Sequence, residues 1–264
     1  MSSARNRARR AATSIRAVIV HRRDARVTRV AIAAVCFDAA GTLIRVRGSV
    51  GRQYAAVARR FGVEADADAL DAGFPAAFRS APPMAFAGAA ADAVPALERA
   101  LWRALVRRLA ETAGLAPALD AVGFDRYFDQ LYDHFATPAA WEVYPDVRPT
   151  LAAVRARGFR IGLVTNFDGR IVALLEALEL RPWFDALTLS SRVGVAKPDA
   201  RIFASAVSAL GVPPAAALHV GDSPEEDVAG ARAAGLAVVL LDRDGRHPGV
   251  PERVGSLEEV TALL

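Results

Sequence analysis

Beyond residue 140 the chain alternates apolar runs with helix-period segments at short intervals. No other feature restricts the fold as tightly. The runs Phe159–Val164, Ala186–Leu189, Ala217–Val220 and Leu236–Leu241 have the length and content of strands. Between them lie helix-period stretches from Val147 to Arg157, Ile171 to Leu180, Arg201 to Leu210 and Glu225 to Ala234. Asp146 stands where an N-cap belongs, and Gly158 where a helix ends. Strand and helix in alternation, joined by short connections, build βαβ units and a parallel sheet covered on both faces. The uninterrupted apolar run Val30–Phe37 suits a strand buried on both sides and is expected to be the first strand of that sheet.

Residues 48–140 break the alternation. Helical stretches are expected near 50–61, 66–79, 95–113 and 124–135, with Gly and Pro clusters at 73–75, 81–88 and 114–117 and no strand. The expected organisation is therefore a basic, disordered tail over 1–29, an α/β core from 30–47 and 141–264, and an inserted α-helical cap over 48–140. The insert leaves the core after the first strand, where it is placed to cover the sheet's carboxyl edge.

The net charge of +4 and pI near 9.8 suggest a nucleic-acid binder until the charges are located. Residues 1–30 hold nine arginines and a single acid, so the rest of the chain is mildly acidic. The expectation is accordingly no nucleic-acid partner. A disordered tail, an upstream extension of the reading frame and an organelle transit peptide all fit the leader. Arginine is preferred to lysine throughout, which makes an Arg-rich leader uninformative and favours the first two, with a cytoplasmic location. No apolar run reaches the ~18 residues of a membrane span, so no membrane partner is expected. The one cysteine, Cys36, falls in a predicted core strand and reads as a small buried hydrophobe.

Polar groups gather at the ends of the predicted strands. Asp38 closes the first, in Cys36-Phe37-Asp38-Ala39-Ala40-Gly41-Thr42-Leu43. Thr165-Asn166 ends a second. Gly194-Val195-Ala196-Lys197-Pro198-Asp199 holds the only lysine of the chain, just before a helix. Asp222, in His219-Val220-Gly221-Asp222-Ser223, ends a further strand, and Asp227 follows five residues later. Open α/β sheets bind ligands at this edge. A carboxylate nucleophile, hydroxyl and amide donors, one cation and paired acids are what phosphoryl transfer through an aspartyl intermediate requires.

These four clusters, in this order and around a helical insert, resemble the haloacid dehalogenase-like (HAD) hydrolase superfamily with a helical cap of the first type. The resemblance covers about residues 30–264. The segments "FDAAGTL", "RVRGSVG" and "EVYPDV" are most similar to the domain-containing-3 group of that superfamily. The resemblance implies a Rossmann-like parallel sheet and assigns Asp38 as nucleophile. It implies that Thr165, by its hydroxyl, and Asn166, by backbone or amide, hold the phosphoryl oxygens, and that Lys197 neutralises charge on nucleophile and transferring group. It implies Mg²⁺ as cofactor, held by Asp38, the backbone carbonyl of Ala40 and Asp222, with Asp227 as a further ligand or acceptor. Mg²⁺ suits such a set, taking one or two carboxylates besides waters and phosphate. Gly41 allows a tight turn, and Thr42 is expected to bond that turn, orient Asp38 and face substrate.

The departure is Ala40. Phosphatases of the superfamily carry there a second Asp, whose carbonyl binds metal and whose carboxyl is the general acid–base. Alanine keeps the carbonyl and deletes the proton donor, a loss of about 10²–10⁴-fold for poor leaving groups. Phosphonoacetaldehyde hydrolases also have Ala there, but need a cap lysine that this chain lacks. Haloacid dehalogenases have an aromatic residue there and lack the paired acids. The expected function is a Mg²⁺-dependent phosphatase acting on a small phosphorylated molecule. The alternatives are 2-haloacid dehalogenation and a catalytically impaired phosphate- and Mg²⁺-binding protein. His134 and Trp141 are expected to serve packing or a hinge, His219, inside a strand, is expected to be structural, and no pocket signature is readable in 48–140. Arg45, Arg47 and Arg52 could favour an anion.

Overall fold

The computed structural model describes residues 31–264; the expected tail lies outside the described residues. Among the described residues, six strands form one sheet in the order β5-β4-β1-β6-β7-β8, every neighbouring pair parallel. The strands are β1 Ala34–Phe37, β4 Arg160–Thr165, β5 Ala186–Leu189, β6 Ala217–Gly221, β7 Ala237–Leu241 and β8 Arg253–Val254. Strands β1, β6 and β7 are buried along their whole length, which is why they read as unbroken apolar runs. One apolar cluster, including Phe37, Leu151 and Leu163, covers one face; a second, including Cys36, Phe203 and Leu210, covers the other. Cys36 is free and fully buried, as expected, and burial pushes its thiol up to about 12.

Several elements differ from expectation. β1 starts at Ala34, later than expected, although the Ala33 N–H already donates to the Ala216 carbonyl at 2.8 Å and its carbonyl accepts from the Arg160 N–H at 3.0 Å. β8, two residues long, is too short to carry a periodic signal. Asp146 occupies its N-cap position, yet its carboxylate does not cap that helix. It receives both Nη1 and Nη2 of Arg243 at 2.8 and 3.0 Å and the backbone N–H of Leu257 at 2.9 Å, tying the C-terminal helix Leu257–Thr261 to the core. The segment expected as one helix over 225–234 opens instead with a π-helical turn, Pro224–Ala229, before Gly230–Ala233. The wide turn lets consecutive acids, Glu226 and Asp227, both reach groups of the sheet edge.

Between Val46 and Trp141 lie five α-helices: Val50–Arg59, Ala67–Ser80, Val94–Thr112, Ala116–Val122 and Phe124–His134. The fourth was hidden by its Gly114–Pro117 flank, because Pro117 sits in the first turn, where proline is tolerated. The second runs through Gly73 and Pro75. Their buried side chains, among them Tyr54, Leu109, Tyr127 and Phe128, form a cluster of their own. Gly51 permits close contact of the first two helices: a Cβ there would lie 2.0 Å from the Ala67 carbonyl oxygen. The chain enters and leaves this layer through a two-stranded antiparallel ribbon that was not expected, β2 Ile44–Val46 with β3 Trp141–Val143. Three-residue strands are invisible to periodicity, and only their pairing defines them. Among the described residues, no helix is long and apolar enough to cross a membrane.

Burial pushes the Asp146 carboxyl up, but Arg243 and the Leu257 amide outweigh it and hold it below the usual carboxylate range. A depressed carboxylate stabilises the fold above its unfolded value and loses that contribution as pH falls through the folded one. Asp146→Asn is therefore expected to lower unfolding free energy by about 1–3 kcal/mol at pH 7. The gap from wild type should narrow below pH ~4. Urea titration at both pH values measures it.

Candidate active site

The sheet order creates the site. After β1 the chain passes to β4 and β5 on one side and then crosses to β6 and β7 on the other, so the carboxyl ends of β4 and β6 flank that of β1. Connections diverge there and leave a crevice for a ligand. Phe37 pairs with Leu163 and Val220, and the Asp38 N–H donates to the Val220 carbonyl at 2.9 Å. Asp38 is thus fixed beside Thr165 and Asp222. The turn after it is closed by Leu43 and Ile44 N–H groups donating to the Ala39 carbonyl. Gly41 has φ +91°, and a Cβ there would lie 2.3 Å from Asp222 Oδ2. Only glycine gives that carboxylate its place.

Lys197 joins the pieces. Its Nζ donates to Asp38 Oδ1 at 2.6 Å and to Asp227 Oδ1 at 2.7 Å, and the three groups are almost wholly buried. Asn166 fixes the lysine from the next strand: its Oδ1 accepts from the Lys197 N–H at 2.8 Å, and its Nδ2 donates to the Lys197 carbonyl at 3.1 Å. Asp227 also accepts from His219 Nε2 at 2.9 Å and from the Ser223 N–H at 3.0 Å. Gly221 makes room for it, since a Cβ there would lie 2.1 Å from Asp227 Cγ.

Carboxylate oxygens of Asp38, Asp222 and Asp227 lie within 4.8 Å of one another. Burial raises Asp38 to about 7, with Lys197 opposing and the two neighbouring acids adding. Burial, then Asp227, raises Asp222 to about 6. Burial acts in the same sense on Asp227, but Lys197 and His219 outweigh it and hold that group well below the usual range. For Lys197, burial favours the neutral amine; Asp227 and Asp38 outweigh it and drive its pKa well above the ordinary lysine value. One cation faces three clustered acids, and Glu226 stands beside them. Hard oxygen donors with surplus negative charge fit a hard divalent cation.

Asp38, Thr165, Asn166, Lys197, Asp222 and Asp227 therefore meet at one edge, and Ala40 lines the same cavity. Three details differ from expectation. The Thr42 hydroxyl donates to Asp222 Oδ1 at 3.3 Å and not to Asp38, because the Gly41 turn packs under Asp222. The Asn166 amide is committed to Lys197 and to Glu226 Oε2, the latter at 3.1 Å, which leaves its backbone for any phosphoryl oxygen. Arg45 and Arg47 pair with Glu142 across the ribbon, so of the three arginines only Arg45 touches the cavity, already paired. His134 packs, with its Nε2 2.7 Å from Gln53 Oε1. Trp141 bonds the Phe135 carbonyl and lines the cavity as well.

The cavity, about 770 Å³, lies between sheet edge and helices. Its wall contains a seam that sequence reading missed. Asp168, fully buried, accepts from Trp102 Nε1 at 2.6 Å and from Arg170 Nε and Nη2 at 2.9 and 2.7 Å. Arg170 in turn donates to the Tyr132 carbonyl at 2.7 Å and lies 3.6 Å over that ring. Glu98 accepts from the Gly169 N–H at 2.9 Å. Asn166-Phe167-Asp168-Gly169-Arg170 has no periodicity to reveal this; the adjacency of its charges to a strand end is the available signal.

The model of the haloacid dehalogenase-like hydrolases matches residues 32–235. The chain is 35% identical over 212 residues to "Haloacid dehalogenase-like hydrolase domain-containing protein 3" of Bos taurus, spanning 78% of this chain and 80% of that protein. It is 38% identical over 178 residues to a phosphoserine phosphatase of Thermus thermophilus, spanning 65% of this chain and 66% of that enzyme. A HAD phosphatase structure from Thermococcus onnurineus superposes with TM-score 0.61 at 24% identity, covering 87% of this chain and 96% of that one. The chain belongs to the haloacid dehalogenase-like hydrolase family.

Lys197→Met takes the shared cation from two buried carboxylates, leaving Asp227 with only His219 and the Ser223 N–H and Asp38 with no charged partner. It is expected to destabilise the fold by about 3–5 kcal/mol. Denaturant unfolding followed by circular dichroism checks this.

Proposed function

We propose that this hydrolase is a Mg²⁺-dependent phosphatase of small organophosphates, working through an aspartyl phosphate at Asp38. The carrying observation is the convergence of the Asp38, Asp222 and Asp227 carboxylates within 4.8 Å around Lys197. Asp38 is the nucleophile, and Lys197 keeps it ionised and balances charge gathering on the transferring group. The Thr165 hydroxyl and the Asn166 backbone N–H hold phosphoryl oxygens. Thr42 faces substrate only indirectly, by orienting Asp222. Asp38, Asp222 and the Ala40 carbonyl would hold Mg²⁺, with Asp227 bonded to Lys197 and His219 beside them. When bound, the ion supplies Lewis-acid polarisation of the phosphoryl group. In this reading residues 48–140 are a cap over the 30–47 and 141–264 core, and the β2–β3 ribbon is where the two meet.

The relatives support a small phosphorylated substrate, one being a phosphoserine phosphatase at 38% identity. Halide displacement is the weaker reading. It has no use for the Asp222–Asp227 pair, and position 40 holds alanine where such enzymes carry an aromatic ring.

Purified protein with Mg²⁺ is expected to turn over members of a phosphomonoester panel, and Asp38→Asn or removal of the metal by EDTA to reduce release of phosphate to background. Ala40→Asp is expected to raise turnover of alkyl phosphates by about 10²–10⁴-fold. No release of phosphate above the Asp38→Asn control would overturn the proposal.

A further inference from the structure

We propose that the substrate carries its phosphate on an aromatic ring, through an oxygen that leaves without being protonated: that of a phenol or of an aromatic carboxylic acid. This rests on the phosphatase reading above and adds the substrate class to it. Two independent features of the cavity point the same way.

The first is the shape and chemistry of the wall. Phe167 follows Asn166 directly at the end of β4. From it a continuous run of ring contacts leads away across the cavity: to Trp141 at 5.4 Å between centroids, then Phe135 at 5.9 Å, Tyr54 at 5.8 Å, Phe74 at 6.3 Å and Phe78 at 5.8 Å. All six rings border the cavity that Asp38 and Lys197 also border. These spacings are those at which aromatic rings attract one another, so a planar guest would extend an array already built. Phe78 is 46% exposed, a ring left partly in water beside the cavity. The volume, about 770 Å³, suits a ligand of one or two rings.

Of the cationic side chains on that wall, Arg170 is spent on Asp168 and Tyr132 and Arg45 on Glu142, while Arg79 borders the cavity without an ion-pair partner among the described residues and is placed to meet an acidic substituent of the ring. A sugar phosphate would set hydroxyls against Phe167, Phe135, Phe74 and Phe78, hydrocarbon rings that offer them no partner, at a cost for each unpaired group.

The second feature is the reacting end. By the family resemblance position 40 is where a proton would be delivered to the leaving oxygen, and the residue there, which borders the cavity, is alanine and has none to give. Lys197 is already donating to two carboxylates, and Thr42 to a third. An alkoxide leaves poorly under these conditions. A phenolate or carboxylate leaves as the anion. The balance is simple. Asp38 Oδ forms a bond to phosphorus, the P–O bond to the aromatic body breaks with its electron pair on that oxygen, and solvent protonates it if at all. Water then attacks the phosphorus of the aspartyl phosphate, returning the Asp38 carboxylate and releasing inorganic phosphate and a proton to solvent.

The test separates ring from leaving group. Benzoyl phosphate and acetyl phosphate share the acyl phosphate and differ by the ring; benzoyl is expected to show kcat/KM at least about tenfold higher, in line with burial of a phenyl group. Phe74→Ala should narrow that ratio through KM, with circular dichroism and Phe74→Leu confirming that the fold is kept. Across a series from nitrophenyl to phenyl phosphate, kcat/KM should fall steeply as the phenol becomes less acidic, and Ala40→Asp should flatten the dependence. Equal rates for the benzoyl and acetyl compounds would overturn ring recognition. A flat series in the wild type would show that another group, Glu226 being one that borders the cavity, protonates the leaving oxygen, and would overturn the leaving-group claim. If no phosphate of any kind is turned over beyond the Asp38→Asn control, the phosphatase reading itself fails and takes this inference with it.

Discussion

A single ammonium group shared between two buried carboxylates sets the terms for the rest of this structure. Lys197 touches Asp38 and Asp227 at hydrogen-bond distance, almost out of reach of water. Charges removed from water are stable only when each is paired and its remaining bonds are satisfied. Much of the surrounding geometry meets that demand. Asn166 clamps the lysine backbone, His219 and Ser223 complete the bonds of Asp227, and Gly221 leaves the volume that Asp227 fills. The π-helical turn at Pro224–Ala229 is part of the same solution, bringing Asp227 to the lysine and Glu226 to Asn166.

That pairing still leaves negative charge in excess. Asp38 at about 7 and Asp222 at about 6 are carboxyl groups whose burial is not fully compensated by one lysine. Such a centre is poised to accept a further cation. Glycine at position 41 matters for the same reason, since any side chain there would displace Asp222 from the cluster.

The two halves of the cavity divide the chemistry between them. The sheet edge contributes nearly all the charge, and the helices contribute rings. Where they meet, Asp168, Arg170, Trp102, Tyr132 and Glu98 bond across the boundary, so the polar and apolar walls are held in one arrangement. In the proposed reading, alanine at position 40 leaves the charged half without a proton donor, and the apolar half makes that deficit tolerable through the kind of leaving group it admits.

Patterns confined to a few neighbouring residues were legible from the chain alone. Strands buried on both faces appear as apolar runs, and side chains that close such strands must lie at the sheet's edge, so the chain alone places Asp38, Thr165, Asn166 and Asp222 together. Lys197, alone of its kind among so many arginines, stood out for the same reason. What the tertiary structure alone decided is everything that depends on pairing between distant segments: the β2–β3 ribbon, the partner of Thr42, the commitment of the Asn166 amide, the Asp168–Arg170 seam and the aromatic wall. A hydrogen bond between residues 97 or 180 positions apart leaves no periodicity in either segment. Short-range pattern records which face a residue must bury, whereas the identity of the group it meets there is set only when the chain has closed on itself.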